Sequence, residues 1–238
     1  MEKFQVVSDL HLEFHDMVPD IPRTAPYLIL AGDIGQLHDV VFMDFVSYCS
    51  RTWDVVIFVP GNHEFYSTMN TYDELLQMYA RFFRNFHNVH FLQDGAVARV
   101  EDTWIFGATM WPTVDPWRTR PKIHGFQQSF ASFDHFRALE RFLRRQRTDK
   151  VVVVTHFPVT REGTSHPKYA EQSEAQKRYF ANDWLKLLPE EYVRDVIFVS
   201  GHTHYSFDFV RKSARFVSNQ WGYPEDVDTC GYSIIKTL

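Results

Sequence analysis

Six short stretches of this sequence carry metal-binding side chains: Asp9-Leu10-His11, Gly32-Asp33, Gly61-Asn62-His63-Glu64, Thr155-His156, Gly201-His202-Thr203-His204 and Ser218-Asn219. Several follow directly on apolar, β-branched runs such as Gln5-Val6-Val7, Leu28-Ile29-Leu30, Val55-Val56-Ile57-Phe58-Val59, Val151-Val152-Val153-Val154 and Val196-Ile197-Phe198-Val199. Such runs read as buried strands. A ligand just past each strand lines them all along one sheet edge, where α/β proteins bind ligands. Carboxylate, imidazole and amide oxygen together suit divalent ions of the manganese, iron and zinc type. Two such ions about 3.5–4 Å apart clamp an in-line displacement at phosphorus. The chemistry expected is hydrolysis of a phosphate ester by metal-activated water.

The stretches differ in how much each says alone. Asp9 and His11 stand at i and i+2, on one side of an extended segment, although a solvated strand end has the same pattern. Asp33 after Gly32 reads either as a helix cap or as a carboxylate shared between two cations. Gly61-Asn62-His63-Glu64 is more specific. Its glycine permits an unusual backbone, Asn62 offers a neutral carbonyl oxygen, and His63 stays free for a proton or a phosphate. His156 is a single histidine at a strand end and carries little unaided. His202 and His204, one residue apart after a strand and a glycine, can be directed at two neighbouring ions. A structural zinc site would want four closed ligands, usually with cysteine, and Cys49 and Cys230 are remote in sequence.

Positioning these residues requires alternating strands and helices. Strands are predicted at 4–8, 27–31, 55–59, 89–92, 96–101, 104–109, 151–155 and 196–200, with a β-rich tail at 206–211, 214–218 and 232–236. Helices are predicted near 38–52, 71–86, 130–147 and 174–188. Val40, Val41, Met43, Phe45, Val46 and Cys49 recur on one side of the first, and Phe136, Leu139, Phe142 and Leu143 on one side of the third. Arg141, Arg144 and Arg145 face outward there, as a solvated face. The alternating first half implies parallel βαβ units and the tail antiparallel pairing. The fold expected is α/β, two packed sheets flanked by helices, in a single domain over 1–238. Irregular stretches at 111–128 and 157–172 leave from the ends of site strands.

Composition sets the outer bounds. At 238 residues, 45% apolar and 16% aromatic, the chain can bury a core. The net charge of −5 supplies no broad basic footprint for nucleic acid, which is therefore not favoured as a partner. Two cysteines make no disulfide framework. No apolar run is long enough to span a membrane and no signal sequence is visible, so a cytoplasmic protein is expected.

The set D-x-H, GD, GNH-E, H and GH-x-H, in this order over residues 8–204, resembles the calcineurin-like metallophosphoesterase superfamily. The resemblance implies a four-layer α/β/β/α sandwich. It implies one ion held by Asp9, His11, Asp33 and His204, and a second by Asp33, Asn62, His156 and His202. His63 would be the catalytic histidine near the leaving group. Two divalent ions are implied, manganese first, with iron, zinc, nickel, cobalt or magnesium as alternatives.

Departures narrow the substrate. The protein Ser/Thr phosphatases carry GD-x-VDRG, whose arginine contacts phosphate; Gly32-Asp33-Ile34-Gly35-Gln36 has none. They also carry a glycine after the first motif, where this chain has Leu12-Glu13. The stretches Ser8–Glu13 and Gly107–Trp111 look more like small bacterial-type phosphoesterases. Many of those end in N-P-R-G-Y, and Asn219-Gln220-Trp221-Gly222-Tyr223 has Trp221 in place of the arginine. A phosphodiesterase acting on a small molecule or nucleotide is expected, with a phosphomonoesterase or a nuclease as alternatives and a non-catalytic scaffold disfavoured. Trp111, Arg118, Arg120, Lys122 and His124 are candidate substrate contacts by base stacking and phosphate pairing. Packing tryptophans and solvated cations would give the same composition. Arg161, His166, Lys168 and Tyr169 stand in the second irregular stretch.

Overall fold

A computed structural model describes residues 3–113, 123–146, 149–224, 231–233 and 236–238. The β-branched runs become strands β1 (Phe4–Val7), β2 (Tyr27–Ala31), β3 (Val55–Val59) and β4 (Val89–Phe91), paired in that order and all parallel. Thr237 adds one antiparallel bridge to Gln5 at the edge. A second sheet holds β5 (Ala96–Val100), β6 (Thr103–Ala108), β7 (Lys150–Thr155), β8 (Ile197–Val199), β9 (Phe207–Arg211) and β10 (Ala214–Ser218), in the order β5-β6-β7-β8-β10-β9. It is mixed: β6, β7, β8 and β10 run parallel, and β5 and β9 pair antiparallel at the edges.

Alternation along each strand divides the apolar side chains between two faces. Ile29, Ile57 and Val59 of the first sheet meet Ile105, Val152, Val154 and Val199 of the second in one buried layer. Leu28, Leu30, Val56 and Phe58 face the other way, onto α1 (Val40–Thr52) and α2 (Tyr72–Phe83). Phe106, Val151, Val153 and Phe198 pack on α3 (Gln128–Arg145). The result is the expected α/β/β/α sandwich. Helix α2 opens with a reciprocal capping box between Thr71 and Glu74.

Three local expectations need correction. The buried stripe of α1 is Phe42, Phe45, Val46 and Cys49, spaced i, i+3, i+4, i+7, while Val40 is 65% exposed and Met43 lies near the surface. The helix expected at 174–188 stops at α4 (Glu174–Phe180). There Ala181 turns extended and Asn182 is drawn inward, its amide donating to the Pro158 carbonyl at 2.9 Å and its side chain to that of Met110 at 2.8 Å. A 3-10 turn (Trp184–Leu187) and a short helix α5 (Glu190–Val193) follow. In the tail, β9 and β10 form a hairpin through Lys212 and Ser213, both left-handed. β10 also pairs parallel to β8, a crossover the short spacing did not suggest. Residues 234–235 of the strand expected at 232–236 lie outside the described residues.

Candidate metal centre

Every ligand-bearing stretch stands at the carboxyl end of a strand, along one rim shared by both sheets. Asp9, Asp33 and Asn62 come from the ends of β1, β2 and β3, and His156, His202 and His204 from the ends of β7 and β8. Asp9 and His11 are not extended, as their spacing suggested. Asp9, His11, Asp33, His202 and His204 all take left-handed backbone angles, with φ between 48° and 73°. Such angles are strained for non-glycine residues and collect at functional sites.

Three groups of donors result among the described residues, one of them His11, Glu13 and His63. Asp9, His11 and His204 bring ligand atoms together, as do Asp33, His156 and His202, within 4.8 Å in each group. The Nε2 atoms of His11 and His204 point at one another across 3.1 Å. His156 Nε2 lies 3.1 Å from both Asp33 Oδ2 and Asn62 Oδ1. Asn62 donates its amide to the Tyr66 hydroxyl at 2.7 Å, which turns its oxygen inward. Among the described residues, neither ring nitrogen of His202 has a hydrogen-bond partner. Burial and the neighbouring His156 push its imidazole well below the ordinary value, so it stays neutral, as a ligand must. Burial opposes ionisation of Asp33, but His156 and His63 outweigh it and hold the carboxyl well below its usual range. This donor set fits divalent cations: imidazole nitrogens, carboxylate oxygens and an amide oxygen converge within a few ångströms of one another.

Surrounding groups fix the candidate ligands in orientation. His156 donates through Nδ1 to the Ala31 carbonyl at 3.0 Å, which directs Nε2 towards Asp33 and Asn62; burial opposes its protonation, but the Asp33 carboxylate outweighs it and raises the imidazole to about 9. Glu13 takes His11 Nδ1 at 3.1 Å and His63 Nδ1 at 2.7 Å. Burial raises the Glu13 carboxyl, yet these two hydrogen bonds prevail and hold it at about 2. Burial likewise favours neutral His63, but Asp33 and Glu13 raise its imidazole above the ordinary value. Glu64 is enclosed by backbone amides: Oε2 accepts from Asp33 at 3.0 Å and Gly61 at 2.7 Å, Oε1 from Ile34 at 2.8 Å and Gly35 at 3.3 Å. Burial and the charge of Asp33 push its carboxyl up to about 7. Gly61 is required for contact: a Cβ there would stand 2.6 Å from the Asp33 amide and collide with its carboxylate. Gly32, at φ +84°, would strike the ring of His156 with any side chain.

Glu13, Glu64, Gln220 and Tyr223 were not anticipated as site residues. Gln220 accepts from the His204 amide at 2.5 Å and donates to Thr203, Tyr205 and Ser218, clamping the Gly201–His204 turn. Asn219 is no ligand in this arrangement. Its amide donates to the carbonyls of Val6 and Ser233 and accepts from the Ser233 amide. A cavity of about 440 Å³ opens above the ligands. Its walls carry Tyr66, Tyr179, Phe180 and Tyr223, and the 157–172 stretch contributes His166, Lys168 and Tyr169. Arg161 is held by Glu174 and Asp183 instead. Trp111 is 2% exposed and packs with Phe65, Phe126 and Phe157, away from the cavity lining. His124 is exposed and bridges Thr71 through its backbone. Arg118, Arg120 and Lys122 lie outside the described residues. Trp221, in the arginine's place, packs on Tyr232.

Residues 3–206 match the profile of the calcineurin-like phosphoesterases. The chain belongs to the calcineurin-like phosphoesterase family. As a member it is a metal-dependent phosphoester hydrolase, and divalent metals are the family's cofactor. An uncharacterised protein, L509 of Acanthamoeba polyphaga mimivirus, is 23% identical over 95% of this chain and 93% of its own. Among solved structures, the phosphopantetheinyl hydrolase PptH of Mycobacterium tuberculosis superposes with a TM-score of 0.71 at 17% identity, over 99% of this chain and 95% of that one. A putative 5′-nucleotidase of Staphylococcus aureus superposes with a TM-score of 0.53 at 17% identity, over 91% of this chain and 48% of that one. These likenesses establish the calcineurin-like fold. No helix among the described residues is long and apolar enough to cross a membrane.

Proposed function

We propose that this calcineurin-like phosphoesterase hydrolyses phosphodiesters of a small molecule or nucleotide, in the cytoplasm and as a single domain. Asp9, His11 and His204 would hold one divalent ion and Asn62, His156 and His202 the other, with Asp33 shared and manganese the leading candidate. When bound, the ions supply Lewis-acid stabilisation of phosphoryl charge and lower the pKa of attacking water. His63 would contact the leaving side of the phosphate, with Glu13 fixing its ring through Nδ1.

The observation that carries the diester reading is the cavity. At about 440 Å³ it exceeds what one phosphate fills, and its walls are aromatic rings more than cations. The turn after Asp33 gives its amides to Glu64 and carries no arginine. A dianionic monoester therefore lacks one recognised clamp, while a diester carries one charge less and has a second substituent for the aromatic walls. The name of the mycobacterial neighbour, a phosphopantetheinyl hydrolase, fits a substrate of this kind.

Steady-state hydrolysis of bis-p-nitrophenyl phosphate and p-nitrophenyl phosphate across Mn²⁺, Mg²⁺, Ni²⁺ and Zn²⁺ tests the reading. The diester should have the higher kcat/KM. A monoester kcat/KM more than about tenfold above it, roughly 1.4 kcal/mol in transition-state stabilisation, would overturn the preference.

A further inference from the structure

We infer that Tyr223 contacts the substrate, donating a hydrogen bond from its hydroxyl to the leaving-group oxygen beside His63. The inference rests on the hydrolytic reading above. The Tyr223 hydroxyl lies 3.1 Å from His63 Nε2. His63 Nδ1 is occupied by Glu13 at 2.7 Å, so Nε2 is the ring atom left to face a substrate. An oxygen 3.1 Å from that atom stands where a leaving oxygen must come if His63 is to touch it. Tyr223 also lines the metal-site cavity and is only partly buried.

Its backbone is not free to withdraw. Trp221 and Gly222 donate to the carbonyls of Ser8 and Asp9, each at 3.0 Å, so the segment is pinned beside the first ligand stretch. The ring sits 4.4 Å from the rings of both His11 and His204, and 5.7 Å from Phe14. Substrate entry therefore displaces the hydroxyl by a small side-chain movement and leaves it within reach of the oxygen that displaced it. In hydrolysis the water oxygen forms the new P–O bond. The electron pair of the broken P–O bond stays on the leaving oxygen, and the proton released from water balances it as the alcohol. Tyr223 keeps its own proton and stabilises the charge developing on that oxygen.

Tyr223→Phe keeps the ring against His11 and His204 and removes the donor alone. The metal-loaded protein and the variant are compared on phenyl methyl phosphate, a poor leaving group, and p-nitrophenyl methyl phosphate, a good one. Should the wild type prefer monoesters, the matching phenyl and p-nitrophenyl monoesters serve. The variant is expected to lose about tenfold in kcat on the phenyl ester, the worth of one hydrogen bond. On the p-nitrophenyl ester the loss should be under about threefold, with KM and bound metal unchanged. Equal losses on both esters, or none, would overturn the assignment while leaving the phosphoesterase reading intact. Loss of metal in Tyr223→Phe would also overturn it, by making the tyrosine a support for the ligands. Wild-type protein that turns over neither diesters nor monoesters would overturn both readings.

Discussion

Glu64→Gln probes what keeps the two halves of the candidate metal centre in register. The Glu64 carboxylate joins the Asp33–Gly35 turn to the Gly61–Asn62 turn through four backbone amides, at 2.7 to 3.3 Å. Glutamine has nearly the same shape but only one accepting oxygen. Its amide nitrogen would face two N–H donors, either the pair on Oε1 or the pair on Oε2. Each buried donor left without a partner costs about 1–3 kcal/mol, so the substitution should cost roughly 2–6 kcal/mol. For a chain of this length each kcal/mol moves Tm by about 2–4 °C, which gives a fall of roughly 4–24 °C.

The measurement is differential scanning calorimetry at pH 8, above the value of about 7 to which burial and Asp33 raise this carboxyl. It is paired with elemental analysis of bound metal. Metal-free protein should already show the loss, because the amides are orphaned with or without an ion. Metal content should fall as well, since Asp33 and Asn62 sit on the two turns that separate. A variant melting within about 1 °C of wild type with full metal content would refute the brace. The four short contacts would then reflect two turns that hold themselves.

Trp111→Ala should lower stability by about 3–5 kcal/mol, because a fully buried aromatic side chain leaves a cavity among Phe65, Phe126 and Phe157; KM should stay within about twofold, and a selective rise in KM at unchanged Tm would make Trp111 a substrate contact instead. Asp208→Asn should flatten the acid limb of stability. Hydrogen bonds from Arg215 and Lys236, against the opposing effect of burial, hold the Asp208 carboxyl at about 2, below its ordinary 3.8. That contribution is complete above pH 3.8 and disappears as pH falls towards 2. Since the site is largely exposed, solvent screening keeps it within about 1 kcal/mol. Tm against pH from 5 to 2 checks it, and parallel curves for variant and wild type would disprove the linkage.

The motifs were legible because each ligand type stands directly after a strand whose composition announces it. A β-branched run ending in Gly-Asn-His-Glu fixes both the element and its chemistry without reference to the rest of the chain. Two packed sheets flanked by helices were legible for the same reason, since continuous apolar β-branched runs and helical stripes are local signals. Where two stripes compete, as in α1, the sequence does not choose. Val40 and Met43 are as apolar as Phe42, and only the position of β3 decides that Phe58 meets Phe42. Trp111 was placed with the substrate because its neighbours in sequence are cationic, whereas its neighbours in space are aromatic.

The positioning residues were hidden for a different reason. Glu64 sits inside a recognised motif, but three of its four partner amides are about 30 residues away, and Tyr223 reaches His63 across 160 residues. Nothing local marks such a side chain as part of a site. The need for it is nevertheless physical. The candidate ligands Asp9, His11, Asp33, His202 and His204 take left-handed angles, and those angles disfavour the folded state unless something opposes their relaxation. Much of the opposition comes from groups outside the proposed ligand set. Glu64 takes the amides around Asp33, Gln220 takes the amide of His204, and Asp9 itself accepts from the amide of His202 at 2.9 Å. A ligand set copied into another sandwich without these acceptors would keep every donor type and lose the backbone that aims them.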